Sequence, residues 1–275
     1  MLNRKLIAAI ALVAGLAATF ASSPRAGQWQ VVDDDWCHGS KCEVREITLE
    51  PREQLRVRST NGNIEVESWD RDEIRILARV KLSHVSSSEA RELFDDIEID
   101  TDDVIRADGP KRRGGGFLGL FGGSRSWSVS YRITVPRSQA IDVHTVNGEI
   151  EVADVAGAIE FGTTNGGVKL RGVGGDVSGG TTNGGIKVAL DPHDWHGEEV
   201  DLHTTNGGIK VDLPRSFSGH VDVATTNGGI SVDHPVTIES KRRNRLKGTI
   251  GDGDDNVMLR ARTTNGGVDL RRADA

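Results

Sequence analysis

The septet TTNGGIK occupies residues 181–187 and recurs letter for letter at 204–210. It is the fullest copy of a corner that appears seven times: STNGNIEV from 59, HTVNGEIEV from 144, TTNGGVKL from 163, TTNGGIKV from 181 and 204, TTNGGISV from 225 and TTNGGVDL from 263. The corner asparagines are Asn61, Asn147, Asn165, Asn183, Asn206, Asn227 and Asn265, spaced 86, 18, 18, 23, 21 and 38 residues apart. A period near 20 marks a repeat architecture. The 38-residue step reads as about two periods, and the 86-residue step requires an insertion.

Apolar residues alternate around each corner, with Val200, Leu202 and Thr204 facing one way before it and Ile209, Val211 and Leu213 after it. Two short strands and two turns fill 18 to 23 residues, the size of one coil of a β-solenoid. A β-meander or sandwich of Asn-Gly hairpins fits the same alternation, because a two-residue turn would pair Thr204 with Ile209 and Leu202 with Val211. Parity alone does not separate the two. A hairpin needs only Asn-Gly, however, and has no use for the repeated Thr-Thr or the second Gly. In a solenoid equivalent residues lie about 4.8 Å apart in neighbouring coils, so Asn and Thr can bond along a ladder and glycine can relieve crowding at the corner. The expected fold is therefore all-β, a β-helix-like solenoid with TTNGG corners and one inserted helix.

The first residues read as a secretory signal over 1–23: Arg4 and Lys5, an apolar run from Leu6 to Phe20, then Ala21, Ser22 and Ser23, with cleavage expected after Ala21 or Ser23. No cysteine follows the run to carry a lipid, and no later stretch is apolar enough for a spanning helix. The sequence thus predicts a periplasmic or secreted protein. Removing Arg4 and Lys5 from 34 basic residues against 41 acidic ones leaves a net charge of −9, a poor basis for general nucleic-acid binding. With aromatics at 4%, the core must come from Val, Ile and Leu. In the N-terminal segment 24–58, Cys37 and Cys42 are read as a disulfide loop, since a zinc site built on them and His38 would lack a ligand.

The stretches NGNIEVESWDRDEIRILARV at 61–80, VSYRITVPRSQAIDVHTVNGEIEVADVAGAIEF at 129–161 and KGTIGDGDDNVMLRARTTNGGVDL at 247–270, with the TTNGG units between them, carry a resemblance. In this order they resemble the bacterial "putative adhesin" family, domain of unknown function 4097. The resemblance implies an envelope-exposed β-solenoid over 59–275, with no reaction and no catalytic residue to carry over.

Within the insertion at 86–128, SSSEARELFDDIEIDTDDV has capping serines and places Ala90, Leu93, Phe94 and Ile97 at helical spacing, predicting one helix. GPKRRGGGFLGLFGGSRSW follows. Its density of glycine reads as a surface loop, and Lys111, Arg112, Arg113, Phe117, Leu118, Leu120 and Phe121 make it a candidate tip for a membrane surface or a protein partner. Gly114, Gly116 and Gly119 match a dinucleotide fingerprint formally but lack the strand and crossover that would make one, so no cofactor is expected.

Other constellations are weaker. His193, Asp194, His196 and Glu198 sit where the coils lengthen and read as a bulging loop rather than a metal site. Asp252, Asp254 and Asn256 follow calcium-loop spacing, but Val257 replaces the required Gly. KRRNRLK at 241–247 reads as a charged edge or a site for an acidic polymer. Asp201, Asp212 and Asp222 are expected outward on neighbouring strands, which leaves a polysaccharide-acting enzyme as an alternative. No hydrolase elbow, HExxH or P-loop occurs. The function expected is that of an exported, non-enzymatic envelope protein binding a surface, glycan or protein partner, with a purely structural envelope component as the other alternative.

Overall fold

The computed structural model describes residues 27–110, 126–253 and 256–273. The predicted signal segment and the Gly-rich stretch from Lys111 through Phe121 lie outside them, as does Asp254. Two eleven-stranded sheets face each other, and each corner passes the chain from one to the other. The strand before each corner lies in the first sheet: Gln54–Asn61, Ala140–Asn147, Ile159–Asn165, Val177–Asn183, Glu199–Asn206, Gly219–Asn227 and Met258–Asn265. The strand after it lies in the second: Ile64–Trp69, Ile150–Ala153, Val168–Val173, Ile186–Leu190, Ile209–Leu213, Ile230–Val232 and Val268–Arg272. Equivalent strands pair in parallel, Asn with Asn, from coil to coil. Thr204 therefore pairs with Thr181 and Thr263, and Ile209 with Ile186 and Val268. This is the solenoid arrangement, not the hairpin meander.

The coils do not stack in chain order. The seventh, Met258–Asn265, inserts between the fifth, Glu199–Asn206, and the sixth, Gly219–Asn227. The 38-residue step is not two periods. It holds an antiparallel hairpin, Val236–Arg242 and Arg245–Ile250, whose second strand pairs with the far edge of the sixth coil. The last coil thus gains partners on both sides, while the hairpin covers an edge that would otherwise expose unpaired backbone groups.

The corner motif divides its labour residue by residue. Each corner asparagine from the second coil on donates its Nδ2 to the Oδ1 of the one below, at 2.8–2.9 Å, along the order Asn61, Asn147, Asn165, Asn183, Asn206, Asn265, Asn227. The threonine two residues before each asparagine is buried and donates to a glycine carbonyl of the neighbouring coil at 2.7–3.1 Å, instead of bonding to another threonine. The first glycine is sterically compelled: a Cβ on Gly166, Gly184 or Gly207 would lie 1.8–1.9 Å from a glycine carbonyl oxygen in the adjacent coil. The second glycine is not, because a Cβ on Gly185 would meet nothing nearer than 3.4 Å. Asn63 and Glu149 occupy that position in the first two coils.

Between the sheets the core is a ladder of Leu55, Ile141, Ile159, Val177, Val200 and Leu259 facing Ile64, Ile150, Val168, Ile186, Ile209 and Val268, all at most 2% exposed. At the first coil the second sheet continues through Ser126–Pro136, parallel to Ile64–Trp69, and then through Ile74–Ser83, Cys42–Leu49 and Gln30–Val32, each antiparallel to the strand before it. The helix is Ser87–Asp95, opened by a Ser86/Glu89 capping box, with Ala90 and Phe94 buried. It is shorter than the stretch considered, because Glu98–Asp100 and Ile105–Asp108 form a small antiparallel pair on the edge of the first sheet. Arg45 donates to the carbonyls of Phe94 and Ile97, tying the end of the helix to the antiparallel cap. Cys37 and Cys42 are bonded, with Cα atoms 5.7 Å apart. Trp36, immediately before that loop, lies under the guanidiniums of Arg79 and Arg132, at 4.4 and 4.1 Å from the ring centre.

Candidate functional site

A strand in a two-sheet stack presents alternate residues outward, so each outward position becomes a row across the coils. One row of the first sheet reads Arg58, His144, Gly162, Gly180, His203, Arg262, Ala224 in spatial order. The two glycines cut a notch into the middle of it. From the strands on either side the imidazoles lean in: a Cβ on Gly162 would lie 2.4 Å from His144 Cδ2, and a Cβ on Gly180 2.4 Å from His203 Cδ2. The rings thus lie over adjacent strands, in lanes about 4.8 Å apart. Behind the notch, Phe161 packs inward against Gly179.

The notch opens into a cleft of 1340 Å³ that runs from Arg58 and Thr60 of the first coil to Asp201 and Thr205 of the fifth. Four strand spacings make it about 19 Å long. One wall is the exposed row of second threonines, Thr60, Thr164, Thr182 and Thr205, interrupted by Val146. Trp127 closes one end, with Pro110 and Ser126, the residues flanking the stretch 111–125, beside it.

The neighbouring outward row reads Arg56, Asp142, Glu160, Ser178, Asp201, Arg260, Asp222. Asp142 is 6% exposed although it points outward, because Arg58 and His144 cover it. Arg58 donates to Asp142 Oδ2 at 2.6 Å and to its backbone carbonyl at 2.9 Å. His144 Nδ1 comes within 2.8 Å of Asp142 Oδ1. The contact lacks hydrogen-bond geometry, so among the described residues neither buried atom has a hydrogen-bond partner. Donor atoms of Asp142, His144 and Glu160 all lie within 4.8 Å of one another, a grouping able to hold a metal ion.

The sequence candidates fare differently. Asp201, Asp212 and Asp222 do not share a face: Asp212 lies in the second sheet, and Arg260 stands between Asp201 and Asp222. Arg260 and Arg262 approach Asp201 to 3.9 Å, and Arg245 holds both oxygens of Asp222 at 2.8 and 2.6 Å. That bidentate hydrogen bond keeps the Asp222 carboxyl below its ordinary range. The same contact accounts for part of the basic run, which forms the exposed edge hairpin. His193, Asp194, His196 and Glu198 are not gathered into a cluster; Asp191 caps the loop through the His193 and Asp194 amides and binds Arg137. The Asp142, His144 and Glu160 grouping went unread, although its signal is present. Residues 142 and 144 alternate onto one face, and 160 lies one 18-residue coil beyond 142.

A smaller cleft of 580 Å³ follows the second glycines Gly185, Gly208, Gly267 and Gly229 on the opposite sheet, beside Lys187, Lys210 and Asp269. Among the described residues no helix is long and apolar enough to cross a membrane.

The profile of the family Toastrack DUF4097 matches residues 44–271. Among curated proteins none matches the sequence. Solved structures similar to the chain include a "putative cell adhesion protein" from Clostridium sporogenes, with 13% identity, TM-score 0.47, and coverage of 85% of this chain and 100% of the other. A "putative adhesin" from Bacteroides fragilis is 12% identical with TM-score 0.41, over 84% of this chain and 98% of the other. A "putative lipid binding protein" from Parabacteroides distasonis is 13% identical with TM-score 0.32, over 85% and 97%.

Proposed function

This chain belongs to the Toastrack DUF4097 family, and from that premise we propose that it is an exported, non-catalytic scaffold that binds an extended glycan of the cell envelope along the notched face of its first sheet. The observation that carries the reading is the break at Gly162 and Gly180: two missing side chains in the outward row let the His144 and His203 rings lie low across the strands beneath a cleft five coils long. Its lining matches a polyhydroxyl polymer. Threonine hydroxyls recur at the strand spacing, imidazoles and carboxylates supply further donors and acceptors, and Trp127 offers an apolar ring at the end. The Cys37–Cys42 disulfide and the predicted signal segment support an oxidising, exported setting.

The test is co-sedimentation of the purified protein with peptidoglycan sacculi stripped of protein, beside Gly162→Gln. A side chain there displaces only the movable His144 ring, so the variant fills the notch without a backbone clash. The wild type is expected in the pellet and Gly162→Gln in the supernatant. A wild type that stays in solution, or a variant that sediments equally, overturns the reading.

A further inference from the structure

Asp142 and Glu160 are directly registered neighbours on adjacent parallel strands, so two carboxylates stand one strand spacing apart on the same face. Like charges placed opposite one another destabilise a sheet unless something lies between them. Of the two Asp142 carboxylate oxygens Arg58 engages only Oδ2, its other bonds going to the backbone carbonyls of Asp142 and Val57, and the Glu160 side chain has no partner among the described residues. That leaves Asp142 Oδ1, a buried oxygen with no hydrogen bond, beside His144 Nδ1, a buried nitrogen with none. A buried carboxylate oxygen costs heavily unless it is paired or coordinates a cation.

We propose that Asp142, His144 and Glu160 form a binding site for a first-row divalent cation of the zinc type. One imidazole nitrogen and two carboxylate oxygens are the donor mixture such ions accept, whereas an all-oxygen cage would suit calcium or magnesium. The 2.8 Å separation of His144 Nδ1 and Asp142 Oδ1 suits two ligands of one small ion, and its failure to make a hydrogen bond leaves both lone pairs for that ion. Arg58 has the role of an outer partner, fixing the Asp142 carboxylate through the oxygen that does not ligate. Three protein ligands leave coordination positions open, and here they face the cleft, where Ser178 and His203 are the next outward groups. The cation would therefore meet whatever the cleft binds. Glycan binding is read by sedimentation of the wild type and cation binding by titration, so either can fail without the other; Gly162→Gln, which moves the His144 ring, is kept out of the cation test.

The test is calorimetric titration of chelator-treated protein with ZnCl2, together with the visible absorption of the Co2+ form. The wild type is expected to take up a single equivalent tightly and to give a Co2+ band from mixed nitrogen and oxygen ligation. Glu160→Gln, an exposed change with no partner to lose, is expected to weaken binding at least tenfold while the metal-free thermal midpoint stays no lower than that of the wild type. His144→Gln should abolish the Co2+ band, and His193→Ala with His196→Ala should change nothing. Absence of cation uptake overturns the proposal. So does an equivalent that binds as tightly in Glu160→Gln as in the wild type, or one lost through His193 and His196. Should Asp142→Asn fail to fold, Glu160→Gln still decides.

Discussion

The TTNGG corner and the notch at Gly162 and Gly180 are both made of glycine beside polar residues, yet they do opposite things. At the corner, glycine is present because the backbone of the next coil touches it: Gly184 faces the Gly166 carbonyl at 1.9 Å from where its Cβ would be. At the notch, the space above Gly162 is occupied only by an imidazole ring that can swing away. The first glycine and the buried threonine of each corner therefore mark what the stack requires, and departure from the repeat marks where a coil is free to carry chemistry. The septet that recurs most faithfully is not a count of binding sites.

The comparison can be broken within the corner itself. Gly184→Val puts a side chain into a carbonyl of the adjacent coil, and it is expected to cost about 3 kcal/mol or more, enough to unfold a marginal domain. Gly185→Ala, one residue on, is expected to stay within about 0.5 kcal/mol, because its nearest neighbour stands at ordinary contact distance. Urea unfolding of the pair checks this, and equal losses would remove the distinction between the two glycines. A smaller effect follows from Thr181→Val, which keeps the volume but leaves the Gly166 carbonyl without the hydroxyl that reaches it at 3.0 Å. A loss of about 1–2 kcal/mol is expected from the same unfolding curves. Asn183→Ala removes two ladder bonds, to Asn165 and from Asn206, but both are solvent-exposed, so about 1 kcal/mol is expected.

The smallest effect belongs to the hairpin edge and depends on pH. Arg245 holds the folded-state Asp222 carboxyl below its ordinary value. Its contribution is therefore full above the unfolded pKa of about 3.9 and fades as pH falls through the lower folded value. The gap in thermal midpoint between wild type and Asp222→Asn should narrow as pH is lowered below about 4. A gap that widened on acidification would reverse the sign of the coupling.

Much of this was legible in the residues, and the limits have physical causes. Identical Thr-Thr-Asn-Gly-Gly units predicted stacked corners, because a hairpin has no use for the Thr-Thr or the second glycine; in the stack it is the first threonine and the first glycine that neighbouring coils require, while the second glycine is not sterically compelled. The position of the last coil was not legible: a spacing of 38 is the same whether the chain makes another coil or a hairpin, and only pairing partners tell them apart. Asp212 was grouped with Asp201 and Asp222 because alternation shows that a residue points outward but not from which sheet. Asp142, His144 and Glu160 required reading alternation and coil length together, since their proximity arises across coils rather than along the chain.

The most direct test of the division between corner and notch is to measure thermal midpoint and sedimentation with sacculi in parallel for Gly162→Gln and Asn183→Ala. The account predicts a crossover: Gly162→Gln keeps its midpoint and loses binding, while Asn183→Ala lowers its midpoint and keeps binding. If stability and binding fell together in both variants, corner and notch would be one functional unit and the account would be contradicted.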